Sequence, residues 1–307
     1  MSKPKDIPII VSGTHRSGTT WVGNMLCASG ELFYIKEPFN INKQGPGWIP
    51  VPLPYWFYSI NDKNSDEYIK YLDGIMNMRY PLRDAIINSN ILHYPHRFKT
   101  YIESLVARSL GKRPLVKDPI AFFSLDWLAK KYNLYTIVMI RHPAAFVSSI
   151  KRLNWQFDFN NWLKQDWLIN DLLSPYRDKI DEFAKNENDI IDQAILLWNV
   201  MHHVISRYKR LHPDWLFVKH EELSRNPKEG YRKIYNHCNL NWSKDVELII
   251  NKYSNSENKK EVAPKEFDNL KRNSKDLINL WKDRLSNDEI KRVYDGTSDI
   301  RLLFYKD

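Results

Sequence analysis

Cysteine is nearly absent, with only Cys27 and Cys238 in 307 residues. They stand far apart and outside any metal-type spacing, which excludes a disulfide framework and a cysteine-bound metal. A reducing, cytoplasmic setting is the expectation. No long apolar run opens the chain, because Met1-Ser2-Lys3-Pro4-Lys5-Asp6 passes directly into a short apolar stretch. Neither a signal nor an integral membrane helix is expected on this reading. Gly/Ser linkers, internal repeats and low-complexity tracts are missing too, so residues 1–307 read as a single domain. Blocks of one charge sign are also lacking: 46 Lys and Arg against 37 Asp and Glu leave +9, scattered along the chain. The scatter speaks against nucleic-acid binding, while the surplus suits an anionic ligand.

The residues that are present point to phosphate chemistry. Gly13-Thr14-His15-Arg16-Ser17-Gly18-Thr19-Thr20 follows the apolar Ile7-Pro8-Ile9-Ile10-Val11 and runs into Trp21-Val22-Gly23-Asn24-Met25-Leu26, the layout of strand, loop and helix. Glycines at both ends let the backbone N–H groups turn inward, and the helix aims its positive end at the same place. The spacing is that of a triphosphate loop, GxxxxGK[ST], without its lysine. Thr19 stands there instead, and the nearest cation is Arg16. A second apolar run, Leu134-Tyr135-Thr136-Ile137-Val138-Met139-Ile140, reads as a strand buried on both faces. It ends in Arg141 and not in the acid that a nucleoside triphosphatase uses to hold Mg²⁺. Beyond Arg141, Pro143 can start a helix that carries Ser149 about two turns in. Such a guanidinium and hydroxyl suit a second phosphate, a monoester. A kinase or NTPase with a degenerate loop, or a non-catalytic nucleotide-binding protein, are the alternatives.

These two segments resemble those of the sulfotransferases that use 3′-phosphoadenosine-5′-phosphosulfate (PAPS). The loop Arg16-Ser17-Gly18-Thr19-Thr20-Trp21 is similar to their 5′-phosphosulfate motif, and Arg141 with Ser149 to their 3′-phosphate motif. Val116-Lys117-Asp118-Pro119, Trp215-Leu216-Phe217-Val218-Lys219-His220-Glu221-Glu222-Leu223 and Trp281-Lys282-Asp283-Arg284-Leu285-Ser286 extend the resemblance over nearly the whole chain. It implies an α/β, P-loop-containing three-layer sandwich with a central parallel sheet flanked by helices. It also implies PAPS as donor, no metal, and a small-molecule or saccharide acceptor. The donor would lie on His15, Arg16, Ser17, Gly18, Thr19, Thr20 and Trp21, with Arg141 and Ser149 at its 3′-phosphate. Lys271 and Arg272, ahead of the late Trp-Lys pair, would fold over that phosphate.

Sulfuryl transfer needs a base for the acceptor hydroxyl and fixed positive charge for the leaving phosphate. Arg16 suits the leaving group, and Lys117 the sulfuryl oxygens, unless Lys117 merely bridges to Asp118. Phenol and steroid sulfotransferases carry a histidine shortly after the matching lysine, and here Asp118-Pro119-Ile120-Ala121 offers none. Carbohydrate sulfotransferases use an acid in a segment resembling Tyr34-Ile35-Lys36-Glu37-Pro38-Phe39-Asn40. By that resemblance Glu37 is the base, its pKa raised by burial, and a carbohydrate or glycolipid is the acceptor. Asp118 is the reserve candidate, and a salt bridge that only orients the loop is the alternative for Glu37.

Core strands are expected near 7–12, 114–117, 134–140 and 215–219, with helical crossovers between them. Ala194, Trp198, Met201, Ile205 and Tyr208 step by four and three, the buried stripe of a helix on which His202 and His203 are structural. Two aromatic stretches, 44–58 and 154–162, read either as walls of an acceptor site or as loops packed on the core.

Overall fold

The structure, a computed structural model, describes residues 7–42, 47–88, 90–258 and 271–305. The Met1 to Asp6 start and Gln44-Gly45-Pro46 of the first aromatic stretch lie outside the described residues. Five strands form the sheet: β1 Ile9–Gly13, β2 Leu32–Lys36, β3 Arg113–Lys117, β4 Tyr135–Ile140 and β5 Leu216–Lys219. Their order is β2-β3-β1-β4-β5, and every neighbouring pair is parallel. In register, Val11 lies beside Lys117 on one side and Ile137 on the other.

Alternate residues of the inner strands enter different layers. Ile9, Val11, Ile137 and Met139 pack with Val22, Leu26 and Tyr235 on one face. Ile10, Val116, Val138 and Ile140 pack with Phe146, Trp198 and Met201 on the other. Helices on both faces explain why β1 and β4 read as continuous apolar runs. The sheet is thus the middle layer of the expected α/β sandwich. Four of its strands match the expected ones to within two residues. The fifth, β2, outside the expected set, lies at the sheet edge with Phe33 and Tyr34 half-buried and Lys36 exposed.

Six helices bear on the site and its surroundings: α1 Thr19–Cys27, α2 Tyr94–Ser109, α3 Pro143–Leu153, α4 Ile190–Leu211, α5 Trp281–Arg284 and α6 Asn287–Gly296. The stripe expected on α4 is fully buried. His202 on that helix is buried too, stacked on Trp198 at 3.8 Å, with Nδ1 hydrogen-bonded to the Trp198 carbonyl at 2.9 Å. Burial lowers its pKa to about 3, so the ring stays neutral and structural.

All five strands point the same way, so their carboxyl ends share one rim. The Gly13 loop follows β1, Glu37 follows β2, Lys117 ends β3, Arg141 follows β4 and His220 follows β5. Open parallel sheets bind ligands at this rim, where the connections from adjacent strands diverge to either side.

Candidate functional site

The loop after β1 is shaped by close packing at both ends. Gly13 has φ +128°, and a Cβ there would meet the Met139 carbonyl oxygen at 2.3 Å. Gly18 caps α1 with φ +93°, and a Cβ would lie 2.6 Å from the His220 ring. Only glycine fits these positions. Between them Arg16 is left-handed as well, at φ +63°. Ser17 turns its hydroxyl back to the Thr14 carbonyl at 2.5 Å, tying the loop to itself. No side chain caps the first turn of α1. Its N–H groups remain for an anion.

The two phosphate motifs meet, although more than a hundred residues separate them. Arg16 Nε donates to Ser149 Oγ at 3.1 Å, and an Arg141 guanidinium nitrogen donates to the Arg16 carbonyl. Trp198 Nε1 holds the Arg141 carbonyl at 2.9 Å, and Glu221 takes the next N–H, that of His142, at 3.0 Å. Two further arginines join. Burial lowers the Arg16 pKa, and the charges of Arg152 and Arg284 lower it more. Arg141 is lowered to about 10, first by burial, with Arg16 and Arg284 adding to the effect against the opposing pull of Glu221. Four guanidiniums that repel one another have been brought together. Ser12 Oγ, Thr14 Oγ1 and Arg141 Nε nearby are buried without a hydrogen-bond partner. Crowded cations and unsatisfied polar atoms fit a ligand with several negative charges.

Arg284 reaches this group on α5. Trp281 stacks on the His142 ring at 5.4 Å, and Lys151 of α3 bridges Glu289 of α6 at 2.7 Å. Ser286 and Glu289 close a capping box that starts α6 just past Arg284.

Lys117, at the end of β3, is fully buried and its ammonium pairs with Glu37. The expected alternative, a bridge to Asp118, is not the contact that forms. Glu37 sits at φ +48°, its N–H bonded to the Lys117 carbonyl at 2.8 Å and its second oxygen accepting from Asn40 at 3.3 Å. Burial raises its pKa, but the attraction and hydrogen bond of Lys117 outweigh that, leaving it below the usual carboxylate value. The raised pKa expected for Glu37 is therefore not that of the paired state. Asp118 is the acid that is raised, to about 7, chiefly by burial. Its oxygens are already used, however. They accept from the N–H groups of Phe39 at 2.6 Å, Ile120 at 2.8 Å and Ala121 at 3.3 Å. Fully enclosed, Asp118 pins the Glu37 loop to the turn after β3 and has no opening to a substrate.

A sequence profile described as the sulfotransferase family matches residues 8–244. The chain belongs to the sulfotransferase family. None of the curated proteins searched matches it. Among solved structures it is similar to the sulfotransferase domain from the curacin biosynthetic pathway, at 14% identity and TM-score 0.52, over 95% of this chain and 97% of that one. It is also similar to the sulfotransferase domain of a Synechococcus olefin synthase, at 16% identity and TM-score 0.50, over 98% and 94%. At such identities the likeness is one of fold.

Within this sulfotransferase the remaining expected site residues divide. Thr19 and Thr20 open α1, and Trp21 packs edge-on against Tyr231 at 5.3 Å with part of its ring exposed. His15 sits in a box of Phe57, Phe146 and Trp155, the last at 4.3 Å. Burial, then Arg16, lowers its pKa to about 3. Lys271 is exposed, and the Arg272 N–H bonds to the Tyr253 carbonyl at 3.1 Å, beside α1's layer of the core. Arg152 and Arg284 were missed. Arg152 lies three residues beyond Ser149 on α3, a spacing that shares a helix face, which is the signal that could have revealed it. The two aromatic stretches pack on each other, with Phe57 against Phe157 at 5.7 Å and against Trp162 at 6.3 Å. Most of these rings are core, while Tyr55, Trp56, Tyr58 and Trp155 keep partial exposure.

Proposed function

We propose that this sulfotransferase moves the sulfuryl group of PAPS to a hydroxyl of a carbohydrate or glycolipid. The observation that carries this reading is the convergence of Arg16, Arg141, Arg152 and Arg284 on a loop lacking the triphosphate lysine. A ligand with phosphates at two separate positions matches two motifs joined through Arg16 and Ser149. The loop residues 13–20 and Trp21 would hold the 5′ side, and Arg141 and Ser149 the 3′-phosphate, with Lys271 and Arg272 approaching from the C-terminal segment.

Glu37 takes the acceptor's hydroxyl proton as the new O–S bond forms. The S–O bond to phosphate breaks, and its electron pair stays on the phosphate oxygen beside Arg16 and the loop amides. Lys117 is the cation for the sulfuryl oxygens. As Lys117 turns to them, the attraction that keeps Glu37 acidic weakens, burial then dominates, and the carboxylate becomes the stronger base it must be. Both cysteine thiols are pushed up to about 12 by burial, which suits a cytoplasmic protein that keeps them reduced.

Calorimetric titration with 3′-phosphoadenosine-5′-phosphate, beside ADP and ATP with Mg²⁺, tests the donor. The bisphosphate is expected to bind much tighter than ADP, and Arg141→Ala to erase the difference. Equal or tighter binding of ATP with Mg²⁺ would overturn the reading.

A further inference from the structure

Helix α2 is built inside out. Its buried positions are Arg97, Thr100, Ser104 and Ala107. Arg97 is tied inward by a hydrogen bond to the Gly47 carbonyl at 3.1 Å. Phe98, Ile102 and Val106, each four residues from the next and thus stacked along one stripe, face outward, and Leu110 follows them. Ile87, Ile91 and Leu92 extend the apolar surface just ahead of the helix. Seven of the twelve large apolar side chains that are exposed among the described residues fall in this one stretch, at 49–77% exposure. A helix that relied on burying its apolar stripe would turn that stripe to the core. This one holds on by Tyr101 and by polar and small residues, and leaves the stripe for something else.

Charge indicates what that is. Residues 82–112 carry Arg83, Arg97, Lys99, Arg108 and Lys112 against only Asp84 and Glu103. Arg83, Lys99 and Arg108 are exposed and Lys112 half-buried, against exposed Asp84 and Glu103, the latter 3.9 Å from Lys99, so the rim of the apolar stripe is basic by a net two charges. A second copy docking face to face would set that basic rim against itself, because a two-fold interface matches each patch with its own image. An anionic bilayer meets both demands, taking the apolar side chains below its headgroups and the cations among them. No helix among the described residues is long and apolar enough to cross a membrane, so the contact is peripheral.

We infer that α2, with Ile87, Ile91 and Leu92 ahead of it, forms a docking surface for an anionic lipid bilayer. At about 24 Å, the 16-residue helix lies along the interface. A cavity of about 700 Å³ adjoins this surface. Asn88, Asn90 and His93, interleaved with the exposed apolar residues, form one side of it, and Ile41 and Val51 line another. The Val51 N–H bonds to the carbonyl of Pro38 at 2.7 Å, next to Glu37. Docking would set this cavity, and through it the Glu37 loop, against the source of a lipid-borne acceptor. Only that last step rests on the reaction proposed above.

Flotation of the full-length protein with phosphatidylcholine vesicles, with and without phosphatidylglycerol, tests the surface without donor or acceptor. The protein is expected to float with the anionic vesicles and to release at high salt. Phe98→Asp with Ile102→Asp should cut the bound fraction more than about tenfold, and Lys99→Glu with Arg108→Glu should remove the preference for anionic lipid. Unchanged melting and bisphosphate binding would show that the variants are folded. Absence of flotation, or flotation indifferent to the stripe, would overturn the inference. So would light scattering that showed a dimer dissolved by Phe98→Asp, since a second copy would then cover the stripe. Vesicle binding and nucleotide calorimetry fail independently.

Discussion

Two neighbouring acids in this sulfotransferase have opposite environments, and geometry divides their work. Asp118 has the pKa that a general base would want, but three backbone N–H groups already occupy it. Asp118→Asn keeps the acceptor for Ile120 and Ala121 but faces the Phe39 N–H with a donor, so it should destabilise the protein by about 1–3 kcal/mol in urea denaturation. The cost should depend on pH. The folded carboxyl, near 7, binds protons more tightly than the unfolded one at 3.8, so ionising it favours unfolding as pH rises between those values. The wild type's advantage over the Asn variant is therefore expected to shrink from pH 4 toward pH 7, and a flat difference would refute a raised pKa. Glu37 is the acid with a solvent-facing edge and a cationic partner. Glu37→Gln should lower kcat by about 10²–10⁴-fold while leaving bisphosphate affinity in calorimetry unchanged. Turnover that survives the substitution would remove Glu37 from the chemistry.

At the scale of elements, the segments nearest to β1 and β4 could be read from the chain, because a strand, a loop and a helix in sequence fix where a phosphate must go. Arg141 and Ser149 followed from the same logic, being set by a strand end and two turns of helix. Arg284 did not, since it arrives through Trp281 stacking on His142 and the Lys151–Glu289 bridge, contacts with no spacing rule. Its contribution can be measured. Arg284→Ala should weaken bisphosphate binding about tenfold and reduce its salt dependence, and calorimetry at two ionic strengths would read both. Helix α2 marks another limit, for the period of Phe98, Ile102 and Val106 announces an amphipathic helix and is silent on which way the stripe faces. β2 escaped because its apolar run, Leu32 to Ile35, is only four residues long, too short for its period to tell a strand from another buried segment. A salt bridge was a stated alternative for Glu37, but its partner was not legible, because a sequence shows charge without showing that Lys117 turns to Glu37 and not to Asp118.

Seen whole, the molecule separates two tasks along its sheet. Arg16 and Arg141 follow the inner strands β1 and β4, and Arg152 and Arg284 join them from α3 and α5. Everything from Pro38 to Lys112 is a single excursion between β2 and β3, strands that are neighbours at the edge. The chain leaves the sheet at Lys36 and re-enters at Arg113, beside the strand it left. The excursion's exposed parts can change without altering the order of any strand, but its inner rings are shared with the core, and Phe57 packs on His15 beside Arg16. An engineer seeking a new acceptor would therefore treat the excursion as a façade on a shared foundation, recarving its outer face and leaving Phe39, Phe57 and their neighbours in place.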